Sequence, residues 1–314
     1  MDVKRIVLWS GVVVSLLVLV LAAFDDTKSP ETITSAARLA TMSCGTSGRT
    51  AMAQPLTLPA SMPESAFAPS VRAPSSETAS FARCCRRAER VAGGKWSVAL
   101  WHEQGKYYYP DRATASQATW AASVIKLQIV TSYLLADILV HDTSLCSRAI
   151  SQSDNEAANQ LMDAAGAAAV NRFCESQGYV STHLVRHFGD PADLTPGYNQ
   201  TSVVDQVRFL RDLWEGRVLP PEGRLQLLDW MHHQARRTKI PRYLGDYETY
   251  SKTGELWDPP VQNDVAIVCR GDDVWYLAIF VSDSPRPDSE VRQAIGVLAK
   301  QLVTLPLDTH PDAF

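Results

Sequence analysis

Ser123 and Lys126 stand three residues apart, where the small polar stretch Ala113-Thr114-Ala115-Ser116-Gln117 gives way to an apolar run through Ile129, Val130, Tyr133, Leu134 and Ile138. The spacing of that run is helical and puts Ser123 at a helix start. Residues three apart share a helix face, so the amine of Lys126 is within reach of the Ser123 hydroxyl. A free serine is a poor nucleophile until a neighbouring group takes its proton, and a lysine amine in its neutral form is such a group. The unpaired N–H groups of a first helical turn also favour the negative charge that develops during acyl transfer. One helical turn thus offers a nucleophile, a base and part of an oxyanion hole. Taken alone, the same four residues also describe an ordinary helix start with a solvated lysine.

Two further triplets change that balance. Ser153-Asp154-Asn155 and Lys252-Thr253-Gly254 each occur once, in that order, downstream of Ser123. Singly, the first is common turn chemistry and the second a common strand end. Together with Ser-x-x-Lys they resemble the motif set of class A β-lactamases and penicillin-binding serine enzymes. The run Leu145-Cys146-Ser147-Arg148-Ala149-Ile150, leading into Ser153-Asp154-Asn155-Glu156-Ala157-Ala158-Asn159, also looks like the class A helix at this point. The resemblance implies that Ser123 is acylated and that Lys126 is its base, with burial and the nearby Lys252 cation both lowering the Lys126 pKa. It implies that Ser153 shuttles a proton to the leaving group, and that Asn155 bonds the substrate amide and the lysine. Lys252 and Thr253 would hold an anionic substrate group. Gly254 would let its strand approach the ligand without a side chain in the way. The backbone N–H groups of Ser123 and Glu255 would form the oxyanion hole.

Three departures from the family pattern bear on function. Class A enzymes carry a Glu, in a loop after the Ser-Asp-Asn helix, that activates the deacylating water. The corresponding stretch, His183 to Pro196, contains no Glu. Asp190 and Asp193 are the candidate deacylation bases, although a side chain one methylene shorter shifts the water by about an ångström, enough to lose roughly a hundredfold. The segment between Ser123 and Ser153 is short for the family, which implies an opener cleft. Finally, Glu255 stands where a small polar residue is usual, and its carboxylate would repel the carboxylate of a β-lactam. All three argue against an efficient β-lactamase.

The elements that must position these residues follow from periodicity. A helix is expected over Glu77 to Val91, from the recurrence of Phe81, Cys84, Cys85, Ala88 and Val91. Lys95 to Trp101 reads as a strand, Glu103 to Lys106 as a turn, and Tyr107-Tyr108-Tyr109 as the returning strand. Val265 to Val268 and Val274 to Phe280 flank Arg270-Gly271-Asp272-Asp273 as a second hairpin. A last helix is expected from Ser289 to Leu302, and everything between Ser123 and Leu228 reads as helix or loop. The predicted fold is α+β: an antiparallel sheet flanked by helices, plus an all-helical subdomain, as in the β-lactamase and transpeptidase fold.

The 314-residue chain is 46% hydrophobic and 20% charged, with a formal net charge of -4. No basic stripe with interleaved aromatics marks a nucleic-acid partner. Asp2-Val3-Lys4-Arg5 precedes an uncharged run from Ile6 to Phe24 and then Asp25-Asp26. Residues 1–26 therefore read as a membrane anchor with the rest of the chain outside the cytoplasm, or as a signal segment removed after Val20-Leu21-Ala22. Residues 27–76, rich in Ser, Thr, Ala and Pro, read as a disordered tether. Residues 77–308 read as the serine hydrolase domain. Disulfides are permitted outside the cytoplasm, but the connectivity of the six cysteines stays open, because the family partner position of Cys146 is Val130 and the adjacent Cys84 and Cys85 do not readily bond to each other. His183 and His187 have a four-residue spacing but lack the Glu of a zinc-protease motif, and His232-His233 lacks an acidic companion, so neither metal nor cofactor is expected.

The expected function is an extracytoplasmic serine hydrolase that forms a Ser123 acyl-enzyme on a β-lactam, a D-amide of cell-wall type or an ester, with weak β-lactam turnover. The alternative is a catalytically silent protein that uses the same cleft to bind cell-wall fragments or a protein partner.

Overall fold

Val265-Ala266-Ile267-Val268 and Leu277-Ala278-Ile279 are apolar at successive positions, as a strand covered on both faces requires. The computed structural model describes residues 76–136, 141–190 and 197–306. In it these runs form the middle of a five-stranded antiparallel sheet. Its strands are β1 (Lys95–His102), β2 (Gly105–Tyr109), β5 (Glu248–Leu256), β6 (Val261–Arg270) and β7 (Asp273–Ser282), in the order β2-β1-β7-β6-β5. The register sets Ala99 opposite Ala278, Ala278 opposite Val265, and Val265 opposite Lys252.

Alternation along the strands divides the core in two. Val98, Leu100, Ala266, Val268, Leu277 and Ile279 face α1 (Ser76–Ala92) and α9 (Asp288–Val303), the first and last helices. Their neighbours Ala99, Trp101, Val265, Ile267, Ala278 and Phe280 face the helical part of the chain. That part contains the single-turn α2 (Arg112–Ala115), α3 (Lys126–Leu135), α4 (Thr143–Ser147), α5 (Asn155–Ala165), α6 (Ala167–Ser176), α7 (Val203–Trp214) and α8 (Pro221–His232). Helix α3 is buried at every position from Lys126 to Tyr133, the pattern of a central helix rather than a surface one. Each of its large apolar side chains contributes about 1.5–3 kcal/mol by leaving water.

The fold is the α+β arrangement expected, and the predicted elements lie within one or two residues of the observed ones, apart from β6, which begins earlier and extends further than the expected strand. The stretch read as helix or loop needs a correction. Gln200–Thr201 forms a short strand, β4, paired with β3 (Thr119–Trp120), and His183 bridges to Gln200. Two-residue strands carry no periodicity, and these form because the chain on either side of Ser123 is pinned there. Among the described residues no helix is long and apolar enough to cross a membrane, and the expected anchor and tether at 1–26 and 27–76 lie outside the described residues, apart from Ser76, which starts α1.

Candidate active site

Ser123 sits in a 3-10 turn, Ala122–Ile125, that runs directly into α3. Ala122 has φ +49°, a left-handed conformation that non-glycine residues rarely adopt and that persists only where surroundings impose it. The surroundings here are identifiable. From β6, Asn263 Nδ2 donates to the carbonyls of Trp120 (2.8 Å) and Ala121 (3.3 Å), while Ala121 N donates to Asn199 O (2.8 Å). Strand β5 passes against the same turn. A Cβ on Gly254 would lie 3.0 Å from Ser123 N and 3.0 Å from Ala122 Cβ, so a side chain here would push strand and turn apart by a few tenths of an ångström.

Ser153 is positioned by a second irregularity. A π-helical turn, Arg148–Gln152, ends on Ser153 with φ +59° and ψ +33°. Asp154 then caps α5, accepting from Ala157 N at 3.1 Å, and is held from behind by Arg148 Nε at 2.9 Å. The left-handed turn aims its carbonyls at α3. Lys126, fully buried, donates from Nζ to Ser153 O (2.7 Å), Asp154 O (3.2 Å) and Asn155 Oδ1 (2.7 Å). Lys252, also fully buried, donates to Ser153 Oγ and to Thr253 O, both at 2.9 Å. Ser153 thus joins the two lysines, its carbonyl on one and its hydroxyl on the other.

The direct bond from Lys126 to the Ser123 hydroxyl is not made among the described residues. Three acceptors from residues 153–155 already satisfy three ammonium protons, and helix-face proximity does not outweigh them. Burial, assisted by Arg236 and opposed by Asp154, brings the Lys126 pKa down to about 7, so its neutral form is populated at neutral pH. Arg236 adds to the expected repulsion between the two lysines, which share Ser153. Lys252 is itself held well below the ordinary lysine range, first by burial and then by Lys126.

Several residues of the site carry no sequence signal. Lys239 is buried beneath β5, with Nζ donating to Thr253 Oγ1 (2.7 Å), Asn263 O (3.0 Å) and Gly254 O (3.3 Å) and paired with Glu255 Oε1 at 3.2 Å. Asp264 is fully buried, and burial pushes its pKa up to about 6 against the pull of Lys239, the Ile240 N–H and Lys252. Gln234 clamps β5 at the motif, accepting from Thr253 N (3.2 Å) and donating to Ser251 O (2.8 Å). These residues come from turns and strands far apart in the chain. A lone Lys, Asp or Gln in such a stretch has no pattern to mark it.

The loop after α5 brings an aromatic ring to Lys126. Phe188 lies with its ring centroid 4.6 Å from Lys126 Nζ, held by Asn159 through both backbone groups, Phe188 N to Oδ1 at 2.8 Å and Nδ2 to Phe188 O at 3.1 Å. The loop contact to the amine is therefore apolar. Asp190 is half-buried two residues further on and makes no hydrogen bond among the described residues, and Asp193 lies outside them.

Among the described residues, no histidine or cysteine hydrogen-bonds to Lys126, Ser153, Asn155 or Lys252. His183 is in a bridge, not a helix, and His187 Nε2 contacts Asp163 at 2.8 Å. Among the described residues one group, His102, Glu103 and Asp273, brings potential metal ligands within 4.8 Å of one another. The Nδ1 of His102 accepts from the Gln104 N–H at 3.4 Å. Cys84, Cys85, Cys146, Cys174 and Cys269 are free thiols.

Comparison with known proteins decides the family. Residues 141–305 match the model of the β-lactamase enzyme family. The chain belongs to that family. It is class A-like and distant. A β-lactamase of Rhodobacter capsulatus is 30% identical over 167 residues, 51% of this chain and 56% of that protein. One from Mycobacterium tuberculosis is 30% identical over 162 residues, 48% of this chain and 52% of that protein. The chain spans about half the length of the curated relatives it matches. Among solved structures, the class A β-lactamase of the last common ancestor of Gram-negative bacteria superposes with TM-score 0.63 at 23% identity, over 71% of this chain and 98% of that one. A β-lactamase from Sphaerobacter thermophilus gives 0.63 at 24% identity, over 73% and 98%. At such identity the likeness of this family member to those structures is one of fold.

Proposed function

We propose that this β-lactamase family member is a serine hydrolase working through a Ser123 acyl-enzyme. The observation that carries the reading is the single hydrogen-bonded cluster of Lys126, Ser153, Asn155 and Lys252, set beside a turn that β5 approaches closely at Gly254. In its neutral form Lys126 takes the Ser123 proton as Oγ attacks the substrate carbonyl. The oxyanion lies between the N–H groups of Ser123 and Glu255. Collapse breaks the bond to the leaving group, which is protonated through the Ser153 hydroxyl, and the acyl group stays on Ser123. Hydrolysis then needs an activated water. The phenyl face of Phe188 beside Lys126, where a carboxylate would be wanted, supports slow deacylation and weak turnover of β-lactams.

Substrates are small acyl donors: a β-lactam, a D-amide of cell-wall type or an ester. The charge pattern of residues 2–26 supports a place outside the cytoplasm, membrane-attached or released. The test is intact-mass measurement of the purified protein after incubation with a fluorescent penicillin and with an activated ester. An adduct mapped to Ser123 and lost in Ser123→Ala is expected. Absence of an adduct with both classes of probe refutes covalent chemistry.

A second reading, a binding protein without turnover, draws on the same Phe188 contact and on the Glu255 ion pair. It predicts that native chain and Ser123→Ala bind cell-wall fragments equally and leave them intact, whereas the hydrolase reading predicts acylation or cleavage by the native chain and intact ligand only in the variant.

A further inference from the structure

The buried cation beneath Gly254 is already in use. Lys239 is 1% exposed at its side chain, and four acceptors surround its amine, one of them the carboxylate of Glu255 at 3.2 Å. An ammonium has three protons, so none is left for an incoming anion. Arg236, on the open side, lies 3.9 Å from the other Glu255 oxygen. The Thr253 hydroxyl accepts from Lys239 and donates to Asn263 O at 3.2 Å. Lys252 spends two protons on Ser153 Oγ and Thr253 O. Glu255 follows Gly254, the residue that touches the Ser123 turn, and its side chain is 21% exposed, so its carboxylate stands at the edge of the reacting centre.

We infer that Glu255 is a built-in counter-ion filling the cationic subsite beside Ser123, so that the acyl donors taken here are uncharged or cationic near the scissile bond rather than carboxylate-bearing. A substrate carboxylate entering this place must displace Glu255 from Lys239. Displacement would leave one carboxylate facing another and a buried lysine repaired only in part, and breaking a buried pair is costly because a lone buried charge has no solvent to replace its partner. A neutral ester or amide meets no such barrier. An ammonium group gains the attraction of Glu255. The neighbouring charges agree with this assignment. Burial would raise the Glu255 pKa, but Lys239, Arg292 and Arg236 hold it below the usual glutamate value, so the carboxylate is charged at neutral pH.

The inference rests on the acyl-transfer reading and deepens it by naming a substrate class. The test uses two matched pairs on the full chain: penicillin G and its methyl ester, and a p-nitrophenyl ester with and without a carboxylate beside the acyl group. The rate of Ser123 labelling is followed by intact mass. In the native protein the neutral member of each pair is expected to label at least about tenfold faster. In Glu255→Gln and Glu255→Ser the ratio of acid to neutral rates should rise by about tenfold. Equal labelling of acid and ester by the native protein overturns the inference, as does a ratio that neither variant moves. If a variant fails to fold, which a thermal melt reveals, the native ratio decides alone. Labelling by none of the four compounds refutes the acyl-transfer reading, and the inference with it, and is distinct from labelling without discrimination.

Discussion

Replacing Phe188 by glutamate exchanges a phenyl face 4.6 Å from Lys126 Nζ for a carboxylate within reach of the same amine. Unit charges at that separation attract by about 4 kcal/mol at an effective dielectric of about 20. Residue 188 is half-buried, and screening reduces this to roughly 2 kcal/mol, which is about 1.5 pKa units. The sign is upward, because a carboxylate favours the ammonium. Starting from a pKa of about 7, the neutral fraction of Lys126 at pH 7 falls from about one half to a few per cent. If neutral Lys126 is the base, acylation of Ser123 at pH 7 slows by about tenfold or more and recovers above pH 9. The same carboxylate can activate water, so the acyl-enzyme should also be shorter-lived. The assay is the pH dependence, from 5.5 to 10, of labelling by a neutral ester, with decay of the adduct followed after excess probe is removed. The native midpoint should fall near pH 7. A midpoint that Phe188→Glu leaves in place, or faster labelling at pH 7, refutes the assignment of Lys126 as base.

Three further outcomes follow from the same geometry. Gly254→Val puts side-chain atoms where 3.0 Å already separates a Cβ from Ser123 N, and displacing β5 by about an ångström should cut labelling roughly a hundredfold while Tm changes by only a few degrees. Asp264→Asn removes the carboxylate that offsets Lys239 and Lys252. Because its folded pKa, about 6, lies above the usual aspartate value, the native state holds this proton more tightly than the unfolded chain and loses stability as pH rises from about 4 to 7; the variant should flatten that fall, so urea unfolding should show it more destabilised relative to native at pH 5 than at pH 7.5. For Lys126 the folded-state pKa lies below the ordinary 10.5, so the unfolded chain binds more protons between about pH 7 and 10.5. Native stability should therefore rise across that window, and Lys126→Met should flatten part of the rise, as urea midpoints at pH 7 and pH 9 would show.

Much of the fold is readable because burial is periodic. The amphipathic α1, the two-faced apolar β6 and β7, and α9 are set by residues adjacent in sequence, and all four lie where their patterns indicate, β6 running beyond its apolar run at both ends. The short β3–β4 pair escapes such a reading, since it is made by closure of the chain around Ser123. In the site, motifs name Lys126, Ser153, Asn155, Lys252 and Gly254, and the structure brings them together. The expected Lys126–Ser123 bond rests on helical spacing alone. That spacing does not reveal that the left-handed turn at Ser153 presents stronger acceptors from 27 residues away. Similarly, residue type singles out the loop carboxylates Asp190 and Asp193, whereas the group on the lysine is Phe188.

By itself the order of residues determined the kind of chemistry available, a hydroxyl beside an amine with a second lysine on a later strand, because motif residues lie on elements whose identity local periodicity dictates. Only the tertiary structure decided the state of those groups. Burial together with Asp154 and Arg236 sets the Lys126 pKa near neutrality, Phe188 covers the amine, and Lys239 pairs with Glu255, contacts made between separate segments of the chain. Electrostatic energies in a buried cluster depend on separations across the fold and on exclusion of water, and neither quantity is a property of neighbours along the chain.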